Sequence, residues 1–345
     1  MQNITLGKIN KFIVHSIGNK NNGDGVRFSD ILTDFDKIED HIKQLANNSF
    51  KFDELYSFFF LPNLDLNPVY QFVHSIFTNQ ESFIEQSQNT GRYLYDKSTH
   101  PQIKSGELCV IYFNECRVND EIVDCIGIFK SENKDTILKV NSNEHGFELT
   151  DEKGINTNKL DKGCLIFNTR KDNGFLISVV DNTNKSSEAQ YWKDDFLSIR
   201  PCADEYHFTK NFLSITKDFV TKQLSDEFEV TKADKIDLLN RSVEYFKKHE
   251  RFEKESFEEE IFQHPEMIKS FRSFDEQYRE NKNVNISDNF QISSQAVKKQ
   301  SRVFKSILKL DRNFDIYIHG DKNLIEKGIE KDGRKYYKIY YEEEK

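Results

Sequence analysis

A block of short apolar runs at residues 106–181 constrains the fold of this chain more than any other feature. Turn residues separate the runs, and several runs alternate apolar with polar side chains, which is typical of half-buried β-strands. The Asn-Gly of KDNG is a strong hairpin signal between two of them. We therefore predict three strand pairs: 108–113 with 122–129, 136–140 with 147–149, and 165–168 with 175–180.

Helical patterns precede this block. An opening strand is predicted at 4–17, with an irregularity at Gly7, and Pro68 is suited to the first turn of a helix. One buried helix face is predicted from apolar residues at spacings of three and four, namely Phe35, Ile38, Ile42 and Leu45. The fold class is therefore predicted to be α+β, with N-terminal helices packed on one face of a largely antiparallel sheet.

The second half of the chain is predicted to be helical and to end in strands. Thr231 with Asp234 resembles a capping box, and the acidic run at 258–260 is expected to be a solvated helix face. Runs at 303–310, 314–318 and 336–341 predict a small β-meander with Asp332-Gly333 in its last turn. A strongly amphipathic helix directly after the strand block is indicated by Phe208, Phe212, Ile215 and Phe219. We predict two domains, 1–203 and 204–345.

Cysteine usage and the lengths of the apolar runs indicate the class of protein. The five cysteines form no CxxC pair, so we expect neither a zinc site nor a disulfide framework. No run approaches the roughly 18 apolar residues of a membrane helix, and the first residues lack the pattern of a signal peptide. We therefore expect a cytoplasmic protein, with no membrane association and with reduced, buried thiols.

Sequence motifs for catalysis are absent. The chain contains no GxxxxGK(S/T), GxGxxG, HExxH or GxSxG, and no two of its nine histidines are spaced i, i+4. We therefore predict a protein that is not an enzyme, with no catalytic residue, metal site or cofactor. Trp192, the only tryptophan, is expected to anchor the core at the domain junction, with stacking on a base or capping of a partner's groove as the alternatives.

Charge is segregated in the C-terminal part of the chain. The net charge of −9 disfavours a protein that coats nucleic acid with its whole surface. Residues 297–312 are an exception, because six bases face one acid and give a local charge of +5. Two explanations stay open: lysines that protect an edge strand from aggregation, or a surface that contacts phosphates. The six bases are Lys298, Lys299, Arg302, Lys305, Lys309 and Arg312.

The order of these elements resembles the bacterial nucleoid-associated protein family, the NdpA-like (YejK) proteins. The likeness is carried by the opening strand ITLGKINKFIVHSI, the paired strands SGELCVIYFNECRVNDEIVDCIGIFK and the helix YHFTKNFLSITKDFVTKQL. It continues through SFRSFDEQY to a C-terminal β unit that begins KSILKLDRNFDIYI. One stretch departs from the family: a basic Gly/Arg segment is expected before the long helix, where this chain has PCADEY and only Arg200 nearby.

The resemblance implies a cytoplasmic protein of the nucleoid that binds double-stranded DNA. We expect binding that is largely independent of sequence, phosphate contacts from the six bases, and a homo-oligomer. An alternative is a protein-interaction module, in which acidic helices of 206–278 bind a DNA-bound partner such as a topoisomerase or another nucleoid protein. A third hypothesis is a nuclease or defence effector, which would require a divalent metal.

Overall fold

The computed structural model describes residues 3–183, 191–282, 284–302, 304, 307–310, 312–317 and 324–343. The chain divides into two compact units, Gln2–Cys202 and Ala203–Lys345. The first is an antiparallel sheet with helices, and the second is mainly helical with short strand pairs. The predicted α+β fold class is confirmed.

A large antiparallel sheet organises the first unit. In the described residues, nine strands pair in the order β11-β4-β10-β9-β6-β5-β2-β3, with β1 beside β5, and the β7–β8 hairpin is separate from this sheet. The strands of this unit are β1 (Ile4–Thr5), β2 (Lys8–Ile17), β3 (Val26–Arg27), β4 (Tyr56–Phe58), β5 (Gly106–Val118), β6 (Glu121–Ser131), β7 (Asp135–Asn143), β8 (Gly146–Gly154), β9 (Lys162–Phe167), β10 (Leu176–Asp181) and β11 (Ile199–Pro201).

Local sequence accounts for the connections of this sheet. The three predicted strand pairs are confirmed as β5–β6, β7–β8 and β9–β10. The irregularity predicted at Gly7 is the break between β1 and β2. A Cβ atom on Gly7 would lie 1.8 Å from the carbonyl oxygen of Asn114 on β5, so this close approach of two backbones requires glycine.

Helices cover both faces of the sheet, whereas the sequence predicted one covered face. The helices are α1 (Glu39–Ser49), α2 (Pro68–Thr78) and α3 (Phe83–Lys97). Val110 and Tyr112 of β5 share a core with α2 and α3, and the alternating Ile111 and Phe113 share a second core with α1. The continuous apolar runs of the central strands follow from this double burial. Trp192 is fully buried in the first core, as the core interpretation predicted.

Phenylalanine-rich helices form the second unit. The helices are α4 (Glu205–Asp218), α5 (Leu224–Glu227), α6 (Lys232–Lys248), α7 (Lys254–Ile261), α8 (Pro265–Lys282) and α9 (Ser294–Ser301), and a π-helical turn at Phe219–Gln223 joins α4 to α5. The predicted amphipathic face is confirmed, because Phe212, Ile215 and Phe219 are fully buried. The predicted capping box is present at the start of α6, where Thr231 and Asp234 bond each other's backbone N–H groups. No helix in the described part of the chain is long and apolar enough to span a bilayer.

The last strands form hairpins instead of the predicted single meander. They are β12 (Arg251–Glu253), β13 (Asn289–Gln291), β14 (Ile307–Leu310), β15 (Phe314–Tyr317), β16 (Ile325–Ile329) and β17 (Lys335–Ile339). Among the described residues, β12–β13, β14–β15 and β16–β17 are separate two-stranded pairs. The last two hairpins share a small core in which Ile236 of α6 is packed against Leu310, Ile316, Ile325 and Tyr337. The predicted turn is confirmed at Gly333, where φ is +86°.

Candidate nucleic-acid interface

The first part of the basic segment, ahead of the strand predicted at 303–310, is a helix. Helix α9 begins after Ser293, whose hydroxyl accepts a hydrogen bond from the backbone N–H of Ala296 at 3.3 Å. Ala296 and Val297 are buried, and α9 packs against α4 and α6. A serine cap and an apolar pair facing the core therefore fix the helix and turn the following lysines away from the core.

Three of the predicted contact residues are brought together on this segment. Lys298 and Lys299 are exposed in the last turn of α9, and Arg302 is exposed at its C-cap. Four residues of helix rise by about 6 Å, so the three cations lie close along one short stretch. The Lys299 ammonium lies 5.6 Å from the centroid of the Tyr206 ring on α4, a cation–π distance. Cations in a last turn also stabilise the helix dipole, which gives these lysines a structural role as well.

The remaining three basic residues are placed differently. Lys309 lies in β14 opposite Asp315 of β15, and Arg312 is exposed in the turn between those strands. Lys305 lies outside the described residues. Of the strand predicted at 303–310, residues 307–310 form β14, and residues 303, 305 and 306 lie outside the described residues. Phe304 is buried in the core of the second unit.

A groove beside α9 is lined by two basic residues that were not predicted from the sequence. Its volume is about 450 Å3, and Lys247 and His249 line it together with Glu250. Both basic residues are exposed at the end of α6, where Lys247 pairs with Glu244 at 2.7 Å. The His249 ring stacks on Tyr245 at a centroid distance of 4.2 Å. The three consecutive basic residues at 247–249 could have indicated this surface from the sequence. They lie outside the segment of highest local charge, 297–312.

The acidic run on α7 is not a uniformly solvated face, which corrects the prediction. Glu258 is fully buried and accepts a hydrogen bond from Arg272 of α8, with Nε to Oε2 at 2.7 Å. This bond also raises the pKa of Arg272. Glu259 and Glu260 are exposed as predicted. Glu258 lies on the buried side of α7, one turn before the buried Ile261.

The PCADEY stretch has a structural role in place of the basic segment expected from the family. The side chain of Asp204 accepts a hydrogen bond from the backbone N–H of His207 at 2.9 Å and caps α4. Arg200 in β11 lies over the ring of Phe59 at 4.3 Å. The capping acid favours the start of the helix and opposes a phosphate at the same point.

Two buried lysines of the first unit, Lys130 and Lys162, are held by hydrogen bonds to neighbouring residues. Lys130 is fully buried and donates hydrogen bonds to Glu132 Oε1 and to the carbonyl oxygen of Lys104, both at 2.9 Å. Burial lowers the pKa of Lys130 and raises the pKa of the adjacent Tyr191. Lys162 on the next strand bonds Asp181 at 2.8 Å. Among the described residues, no group of three or more His, Cys, Asp and Glu side chains is placed to hold a metal ion.

Comparison with known proteins identifies the family. A family model described as nucleoid-associated protein YejK matches residues 13–334. No curated protein matches the chain. The family match extends from the opening strand to the last hairpin and includes both compact units. Since 13–334 is far more than half of the 345 residues, this chain belongs to the nucleoid-associated protein YejK family.

Proposed function

We propose that this chain binds double-stranded DNA directly, largely without sequence preference, and catalyses no reaction. The observation that carries the proposal is the exposed group Lys298, Lys299 and Arg302, within a segment of charge +5 in a chain of charge −9. Phosphate contacts come from these residues and from Lys305, Lys309 and Arg312 further along the segment. We also propose that 204–345 is the DNA-binding domain, that 1–203 is a separate domain, and that the protein is a homo-oligomer.

Binding through phosphates has a defined dependence on salt. Each neutralised phosphate releases a counterion, so the affinity falls linearly on a logarithmic scale of salt concentration. Six contacts would give a slope of roughly −5. Base-edge hydrogen bonds are not required, so duplexes of different sequence should bind with similar affinity.

A gel-shift experiment at two salt concentrations tests this proposal. The variant carries glutamate at five positions: Lys298, Lys299, Arg302, Lys305 and Lys309. We expect wild type to bind duplex more weakly at the higher salt concentration, and the variant to bind at least about tenfold more weakly than wild type at the lower one. Equal affinity of the two proteins would remove this segment from the interface.

The second candidate is a protein-interaction module that reaches the nucleoid through a DNA-bound protein, such as a topoisomerase. It is favoured by the exposed acids Glu253, Glu255, Glu259 and Glu260 on β12 and α7. These carboxylates would repel DNA and attract a basic surface on a protein. This candidate predicts no affinity for purified duplex, so retained binding to protein-free DNA contradicts it.

A further inference from the structure

The β7–β8 hairpin, residues 135–154, carries an apolar face in solvent; we call it the arm. Val140 pairs with Leu149, and Ser142 pairs with Phe147, so the apolar members of these pairs lie on one face of the ribbon, together with Leu138. Their exposed fractions are 68% for Leu138, 62% for Val140, 81% for Phe147 and 66% for Leu149. Four large exposed apolar side chains on one face of a two-stranded ribbon mark an interaction site, and a packing partner would stabilise a hairpin that is only marginally stable by itself in water.

The opposite face of the arm carries one exposed apolar side chain, Ile137, and is otherwise mainly polar and internally paired. Lys139 bonds Glu152 at 3.0 Å, and the Asn141 side chain donates to Thr150 at 3.3 Å. The arm as a whole has five acids and two bases, a charge of −3. This charge opposes contact with DNA phosphates, so the apolar face is suited to a protein surface.

The root of the arm is held firmly to the sheet. Asp161 accepts hydrogen bonds from the backbone N–H groups of Glu132 and Asn133 at 2.7 and 2.8 Å. Just after β8, the Asn156 side chain donates to Asp135 at 2.6 Å. These bonds join the two ends of the arm to each other and to the start of β9, so the arm is presented from a fixed base.

An apolar cleft lies beside the same root. Its volume is about 220 Å3, and it is lined by side chains of α1, β5 and the segment after β8, including Ile42, Cys109 and Ile111. Ile38 and Ile155 on its lining are 41% and 37% exposed. The first unit thus carries both the exposed apolar face of the arm and an apolar cleft that the arm does not cover.

We propose that two copies of this chain exchange arms, each laying the apolar face of its arm on the cleft of the other copy. The arm and the cleft would form the interface of the homo-oligomer proposed above, whether or not the protein contacts DNA. A two-fold axis would make both contacts identical, which is the usual arrangement of homodimers. Arm and cleft are adjacent in each copy, so one axis can serve both contacts.

The area available favours a second copy over a small partner. Each strand of the arm has nine residues, about 30 Å, and two strands are about 10 Å wide, so the face covers on the order of 300 Å2. One arm on one surface would bury roughly 600 Å2 in total, which is below the range of stable interfaces. Two reciprocal contacts bury about 1,200 Å2 and reach that range.

Sedimentation velocity of the full chain tests the exchange. The arm variant is Val140→Lys with Leu149→Lys, and its matched control is Asn141→Lys with Thr150→Lys, which adds the same charge to the polar face. We expect wild type and the control to be dimers, and the arm variant to dimerise more than about a hundredfold more weakly, because each substitution occurs twice in the dimer. A monomeric wild type at concentrations up to roughly 100 µM, or a dimeric arm variant, would overturn the proposal.

A mixing experiment separates arm exchange from packing of two arms on each other. The cleft variant is Ile38→Lys with Ile155→Lys, which we also expect to be monomeric. Mixed with the arm variant, it should associate more tightly than either variant does alone, because only the mixed pair keeps one intact arm on one intact cleft. A mixture that associates no more tightly than the two variants alone, or a cleft variant that dimerises like wild type, would overturn the exchange. Because DNA binding is not the readout, either result leaves the DNA proposal open to its own test.

Discussion

His15 joins strand β2 to helix α3 through a neutral imidazole. Its Nδ1 accepts a hydrogen bond from the backbone N–H of Ser29 at 3.1 Å, and its Nε2 lies 2.9 Å from the Ser87 hydroxyl. Burial is the largest cause that lowers the pKa of His15 to about 4; the charge of Arg92 adds to it, and Asp30 opposes it. Protonation would place a second donor against the Ser29 N–H group.

This arrangement predicts a loss of stability in acid. The unfolded chain binds a proton at His15 below a pH of about 6.5, and the folded chain does so only below about 4, so the contribution is complete above 6.5 and lost between those values. The loss amounts to about 3 kcal/mol of unfolding free energy. Urea unfolding at several pH values should show a shallower acid slope for His15→Gln than for wild type. Parallel slopes would contradict the assignment.

The buried ion pair Lys130–Glu132 predicts a large effect of a single substitution. Both side chains are nearly inaccessible, and Lys130→Met would leave the Glu132 carboxylate buried without its cation. We expect a loss of about 3 kcal/mol of unfolding free energy. The matched control is Lys139→Met, which breaks the exposed pair with Glu152 and should cost less than about 1 kcal/mol. Denaturant unfolding measures both, and similar losses would contradict the account.

At the scale of elements, the capping box of α6 predicts coupled substitutions. Thr231 is exposed and Asp234 is half-buried, so their replacement removes hydrogen bonds and little packing. Thr231→Ala and Asp234→Ala should each cost about 1 kcal/mol. The double variant should lose less than the sum, because each single variant already breaks the reciprocal pair. Additive losses in chemical unfolding would show that the two bonds act independently.

Elements with strong local signals were predictable from the sequence, and elements fixed by distant contacts were not. The β9–β10 hairpin has a turn signal in KDNG, and the first turn of α2 has Pro68, so both were predicted. The lysines of the basic segment suggested an edge strand, but the Ser293 cap and the burial of Val297 fix a helix at the start of that segment. Periodicity alone does not distinguish these outcomes over so short a segment.

The candidate site was predictable only in part, because some of its residues are placed by contacts between distant parts of the chain. Local charge identified Lys298, Lys299 and Arg302 as neighbours in sequence, and their exposure agrees with a surface role. It did not identify Lys247 and His249, which line a groove beside α9. It also misjudged Glu258, whose burial depends on Arg272 in the next helix. The positions of these residues depend on contacts between helices, and those contacts cannot be predicted from a single sequence.

At the scale of the whole molecule, the distribution of charge matters more than its total. A chain of net charge −9 binds DNA only if its cations are concentrated and its acids are turned away or neutralised. The second unit contains such neutralised acids, since Asp275 is buried between Lys254 and Arg279 at 2.6 and 2.7 Å. The acids on the arm lie in the other compact unit, in an element for which we propose a protein partner.

The most direct test of the central claim is the salt dependence of duplex binding, measured by fluorescence anisotropy. The variant reverses Lys298, Lys299 and Arg302 to glutamate, and the matched control reverses the exposed Lys37, Lys51 and Lys159 of the first unit, with the same change in net charge. We predict that the variant binds more weakly and loses about 2.7 from the slope of log affinity against log salt, while the control keeps the wild-type slope. Equal slopes for the variant and wild type would contradict DNA binding through this segment.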